Sequence, residues 1–183
     1  MSVLYLDTET NGIGSFRPPN QKLIQLAWIY NNIPKTYFIN DVVEINPNVP
    51  HTITVTQCKN EGTNFDVVFA EFYKDFTNAS LIVAHNLEFD IGIIKNELKQ
   101  RNSQMLQMFK LHLKQKSFQC TMKDSVSICK LKYSENSKNY KFPKLSELYY
   151  HFYKTQPTIT PHDALNDCYI LKMCHQKIIL QFV

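Results

Sequence analysis

The run LYLDTET, residues 4–10, carries two carboxylates two positions apart, Asp7 and Glu9, at the end of an apolar stretch. In a strand, residues i and i+2 share a face, so both acids aim at one point beyond the strand end. Like charges that close raise each other's pKa unless a cation sits between them, and a hard divalent ion such as Mg²⁺ or Mn²⁺ prefers carboxylate oxygens. A second run, LIVAHNLEFD (81–90), passes from an apolar strand through His85 and Asn86 into a helix. Asn86 reads as its N-cap and Asp90 falls in the first turn, where the helix dipole favours an ionised carboxylate. A third run, TPHDALND (160–167), opens another helix. Thr160 reads as N-cap, Pro161 as the first helical residue and Asp163 as the third, with His162 projecting outward. Asp163 and Asp167 lie four apart on one face, and spacing alone leaves either as a ligand.

Each run by itself has a plain structural explanation: a solvated strand end, helix-end electrostatics, or a cap beside a surface histidine. Together they place acids at three element ends, with a histidine at the last. Such a set suits two-metal phosphoryl chemistry, in which ions about 3.5–4 Å apart stabilise the attacking and leaving oxygens. Histidine, as a residue type, exchanges protons near neutral pH and can take one from the attacking water.

The elements that must hold these residues follow from periodicity. Val3–Leu6, Lys22–Tyr30, Lys35–Ile39, Ser80–Ala84 and Phe118–Thr121 read as strands, the second and third joined by a tight turn at Asn31–Pro34. Arg17–Asn20 reads as a turn and Asn46–Pro50 as a loop. Thr63–Phe76 has apolar residues at helical spacing (Phe65, Val68, Phe69, Phe72, Phe76), and Leu87–Arg101 is amphipathic. A helix follows the fifth strand to about Leu131. Further helices are expected at Leu145–Tyr153 and Pro161–Phe182, and a lysine-rich one within Leu106–Lys116. Three strands followed by strands alternating with helices predict an α/β fold, its sheet part antiparallel and part parallel. Sites in such sheets gather at the carboxyl ends of the parallel strands.

The 183 residues fit one domain with a full core, and 44% hydrophobic content marks a globular chain. No apolar run approaches the ~20 residues that cross a bilayer, and the N-terminus lacks a signal-peptide pattern. An intracellular, cytoplasmic protein without a membrane partner is expected. The five scattered cysteines read as reduced thiols in or near a core. A net charge of +4 permits a polyanionic partner. The segment Lys130–Phe142 interleaves lysines with Tyr133, Tyr140 and Phe142, a composition that can track a phosphate backbone and stack on bases, or simply form a solvated loop.

D-x-E on the first strand, H-N-x-x-F-D after the fourth and H-D-A-x-x-D at the last helix resemble, in order and spacing, the DEDDh (DnaQ-like) 3′–5′ exonucleases. CTMKDSV (120–126) and KFPKLSELYYHFY (141–153) resemble the proofreading epsilon-subunit type of DNA polymerase III. The resemblance implies a ribonuclease-H-like fold, a mixed five-stranded sheet flanked by helices, and a single exonuclease domain over 1–183. It implies two Mg²⁺ or Mn²⁺ ions held by Asp7, Glu9, Asp90 and Asp167, with Asp7 bridging them. It makes His162 the general base and leaves Asp163 a cap. Thr8 and Thr10 would meet the terminal nucleotide, with Ile13, His85, Asn86 and Phe89 lining its pocket. Ile13 stands where the family often has leucine, within Asn11-Gly12-Ile13 in place of Thr-Gly-Leu. The implied reaction releases nucleoside 5′-monophosphates from a single-stranded 3′ end, DNA favoured, with a polymerase in trans as a possible partner. The alternatives are an exoribonuclease or a silent nucleic-acid-binding module, and the intact acid set counts against the latter.

Overall fold

The expected mixed sheet is present, with strand order β3-β2-β1-β4-β5. The computed structural model describes residues 2–12 and 21–181, so Ile13, the turn at Arg17–Asn20 and Phe182 lie outside the described residues. Strand β1 (Val3–Thr10) pairs antiparallel with β2 (Leu23–Tyr30), which pairs antiparallel with β3 (Ile33–Phe38). On its other side β1 runs parallel to β4 (Leu81–Ala84), and β4 parallel to β5 (Ser117–Cys120).

Two corrections to the expected strands matter for the site. Strand β1 runs four residues past Leu6, so Asp7 and Glu9 lie inside it, opposite Ala27 and Gln25. Its parallel pairing with β4 stops at Tyr5–Val83. The acids are therefore held by β2 on one side and stand beyond the parallel partner on the other. Strand β3 starts at Ile33, because Asn31 (φ 51°) and Asn32 (φ 63°) alone make the hairpin loop. Asparagine tolerates that left-handed backbone, and Pro34 is harmless on an edge strand.

Alternation along β1 sends Leu4 and Leu6 to one face and Tyr5, Asp7 and Glu9 to the other. On the first face, α2 (Phe65–Asn78), α3 (Leu87–Gln100) and α4 (Met105–Leu113) cover a core of Trp28, Phe65, Phe69, Phe72, Phe76 and Phe109. Each such ring, fully buried, stabilises by about 1.5–3 kcal/mol. A short helix α1 (Val55–Glu61), not foreseen, packs there through Cys58. The helix expected after β5 is two single turns, α5 (Thr121–Asp124) and α6 (Val126–Cys129). On the second face, α8 (Ala164–Ile179) lays Ala164, Cys168 and Leu171 over Tyr5, Ala27, Ile29 and Val83. Helix α7 (Leu145–Tyr153) packs outside it through Leu148, against Ile170 and Cys174.

A buried polar chain fixes α8 on the sheet. His175 donates from Nε2 to Gln119 Oε1 (2.8 Å) and accepts at Nδ1 from the Tyr5 hydroxyl (3.1 Å). With Gln119 Oε1 as the acceptor, this tautomer lets all three groups pair. The five cysteines are free thiols. No helix among the described residues is long and apolar enough to cross a membrane.

Candidate active site

The end of β1 gathers acids from three elements. Asp7 and Glu9 come from β1, Asp90 from the first turn of α3 and Asp167 from the first turn of α8. Asp90 is 2% exposed, and its Oδ1 accepts from Thr8 Oγ1 at 2.8 Å. Glu9, His162 and Asp167 each offer a ligand atom, all within 4.8 Å of one another. Among the described residues, no lysine or arginine forms an ion pair with any of the four carboxylates.

Electrostatics record the missing counter-charge. Burial pushes Asp7 well above the usual carboxylate range, helped by Asp90, Asp167, Glu9 and Asp163. Burial and then Asp167, Asp163 and Asp90 raise Glu9 to about 8. Burial raises Asp90 to about 7 against the Thr8 hydroxyl, and Asp167 to about 6 against the His162 N–H. Hard oxygen donors, crowded and unneutralised, fit divalent cations. A stability test follows. These acids hold protons more tightly folded than unfolded, so the metal-free fold is stabilised at low pH and loses stability as pH rises from about 4 to about 8. In chelator, the melting temperature is expected to fall by at least ~5 °C between about pH 5.5 and 8.5. Mn²⁺ should flatten that decline. A chelated protein whose stability is flat or rises with pH would mean the acids are not crowded as described.

Helix α8 begins at Ala164, three residues later than Pro161, and this corrects the cap assignment. Asp163 itself is the N-cap, its Oδ1 accepting from Leu165 and Asn166 N–H, each at 3.1 Å. Thr160 contributes only its carbonyl, which accepts from Asn166 Nδ2. The cause is a long-range clamp: Gln25 of β2 donates to Asp163 Oδ2 (2.9 Å) and accepts from Ala164 N–H (3.0 Å). His162 is exposed at φ 66°, and its N–H points to Asp167 Oδ2 at 3.3 Å. The turn thus carries its imidazole to Glu9 and Asp167.

The remaining expected residues are nearby, mostly with their polar atoms engaged. Asn86 stands at the N-cap position of α3 in a left-handed conformation (φ 77°), and its side chain makes no cap bond, against expectation. Phe89 is partly buried against the core. His85 donates from Nε2 to the Pro143 carbonyl (2.9 Å) and bonds Thr121 Oγ1 through Nδ1 (3.0 Å). Burial pushes it down to about 4, so it is a neutral bolt between β4, α5 and the approach to α7. The Thr10 hydroxyl bonds the Gly12 carbonyl (3.3 Å) and accepts from Gln21 Nε2 (3.3 Å).

Gln21, Gln25 and His51 escaped the sequence reading. His51, 7% exposed, donates from Nε2 to the Thr10 carbonyl at 2.9 Å, while its Nδ1 is a buried atom without a partner among the described residues. These three are tied to the site by contacts across the fold, for which local spacing holds no signal.

Comparisons with known proteins bear on the family and the fold. A model of the exonuclease family RNase_T matches residues 4–172. The chain belongs to this exonuclease family. No curated protein matches the sequence. Among solved structures it resembles E. coli exonuclease I in complex with a dA16 oligonucleotide, with TM-score 0.70 and 20% identity over 98% of this chain and 41% of that one. The zinc-ion-bound E. coli exonuclease I–ssDNA complex gives 0.70 at 20%, over 99% and 40%. Cell-death related nuclease 4 gives 0.71 at 20%, over 98% and 64%. At these identities the likeness shows the fold. The chain spans about two fifths of the length of exonuclease I.

Proposed function

We propose that residues 1–183 form one metal-dependent exonuclease domain that removes nucleoside 5′-monophosphates from the 3′ end of single-stranded DNA. The observation that carries this reading is that Glu9, His162 and Asp167 offer ligand atoms within 4.8 Å of one another, beside an Asp7 that Asp90, Asp167 and Glu9 all act on. The four carboxylates would hold a pair of Mg²⁺ or Mn²⁺ ions. Bound there, such ions supply charge for the scissile phosphate and acidify water. The zinc ion recorded in one exonuclease I complex supports a divalent ion in this fold without fixing which. His162 takes the proton of the attacking water at an imidazole nitrogen, from a position next to Glu9 and Asp167. Thr8 and Gln25 hold Asp90 and the start of α8 in place. Thr10, whose hydroxyl is turned to Gly12, meets the terminal nucleotide through its backbone. Phe89 offers an apolar wall beside it.

DNA is favoured because the exonuclease I neighbours are complexes with DNA oligonucleotides. Work beside a polymerase in trans rests on motif likeness alone. The test is a time course on 5′-labelled single-stranded DNA and RNA of one sequence, with Mg²⁺, Mn²⁺ or chelator. Stepwise shortening of DNA, stopped by chelator, is expected. Faster shortening of RNA would reverse the sugar assignment, and binding without shortening would overturn the enzyme reading.

A further inference from the structure

A second surface lies next to the acids, and the catalytic account does not use it. A cleft of about 390 Å³ has His162 and Asp167 on one side and Lys144 and Ser146, at the start of α7, on the other. Ser146 also lines a second hollow of about 330 Å³, which continues along α7 past Tyr150 and His151 to Lys154, with Leu131 at its rim. The two hollows thus meet at Ser146. His85 anchors this arrangement, because its bond to the Pro143 carbonyl fixes the chain just before Lys144.

The chemistry of the hollow suits a polyanion with flat rings. Tyr150 is 50% exposed on it. Its one acid, Glu147, is paired with Lys141 at 2.5 Å. Lys144 and Lys154 form no ion pair among the described residues. Beyond Leu131 the segment singled out for its lysines and aromatic rings closes on itself, through a Lys132–Tyr140 bridge and a bond from Lys141 N–H to the Leu131 carbonyl (2.8 Å). It presents Tyr133, Tyr140 and Phe142 to solvent. Lys154 stands at φ 57° as the C-cap of α7, a place that glycine fills more easily.

We propose that these hollows are one track for the single-stranded DNA leading to the scissile bond, with a base on Tyr150 and a phosphate at Lys154. The proposal rests on the exonuclease reading above. Continuity with the acids and positive charge favour a nucleic-acid strand as occupant, and stacking on exposed aromatic rings is how unpaired bases are held without sequence preference.

The test compares a 5′-labelled oligonucleotide of about twelve nucleotides with the p-nitrophenyl ester of thymidine 5′-monophosphate, a single nucleotide that does not extend along α7 to Tyr150 and Lys154. Tyr150→Ala should lower the ratio of kcat/KM on oligonucleotide to kcat/KM on ester by roughly 5- to 100-fold, the effect of one lost base stack. Lys154→Gly should reduce the slope of log kcat/KM against log salt by about 0.7, as for one lost phosphate contact on a single strand. Its melting temperature should not fall, since glycine suits that backbone. An unchanged ratio in Tyr150→Ala, or an unchanged salt slope in Lys154→Gly, would overturn the track. If wild type cleaves neither substrate, the exonuclease reading fails, and the track is judged by anisotropy of the same oligonucleotide with the same variants and salt series.

Discussion

Asp7→Asn is expected to lower kcat by roughly 10³-fold or more and, in chelator, to raise the melting temperature. The first effect follows from position. Every other acid of the site raises the Asp7 carboxyl, so it lies within electrostatic reach of all of them. A metal pair supplies several kcal/mol of transition-state charge stabilisation, and three decades of rate correspond to about 4 kcal/mol. The second effect follows from the same crowding. Asparagine keeps the shape, removes one buried charge and supplies an N–H that neighbouring carboxylates can accept. Loss of a core side chain lowers both activity and stability, whereas loss of a ligand from an acid cluster moves them in opposite directions. Steady-state kinetics and thermal melts in chelator, on one preparation, check both. Unchanged turnover would remove Asp7 from the site.

The opposing signs show what was legible from sequence. Phe65, Val68, Phe69, Phe72 and Phe76 are all buried in α2, because a long helix writes its core face into a local period. Helix α7 matches its expected limits, Leu145–Tyr153. The acids were legible for a related reason: strand and helix ends are local features, and carboxylates are conspicuous there. What could not be read was decided across the fold. Helix α1 buries only Cys58, too little for a periodic signal. Thr160 has the better local pattern for a cap, yet Asp163 takes the role because Gln25, 138 residues away, grips it. The extension of β1 through Asp7 and Glu9 depends on antiparallel pairing with β2, which alternation in β1 alone does not announce.

That extension also explains how the fold tolerates the cluster. Strand β2 continues beside the acids after β4 has stopped, so the backbone is hydrogen-bonded while one side stays open. Asp90 reaches in from α3 and Asp167 from α8, on opposite faces of the sheet. The opening past β4 is where both helix starts can meet β1. Here the carboxyl-end rule for parallel strands reduces to a geometric statement: the site forms where one parallel partner ends and the other is carried on by its antiparallel neighbour.

His162 sits at the edge of this opening and carries the second large effect. His162→Asn is expected to slow cleavage by roughly 10²–10⁴-fold if the imidazole removes the proton. Asparagine is the informative replacement. At φ 66° an alanine would add a backbone cost of about 1 kcal/mol, whereas asparagine tolerates that conformation. The variant therefore keeps the turn that sets the His162 N–H on Asp167 and removes only the ring. The same geometry admits a competing role, because the imidazole lies within ligand distance of Glu9 and Asp167. Calorimetric titration with Mn²⁺ separates the two. A general base leaves metal affinity nearly unchanged while kcat collapses, whereas a ligand loses affinity by about 10- to 100-fold. A kcat within a few-fold of wild type would leave the backbone N–H as the only contribution of His162, and the base would have to be sought elsewhere around the site.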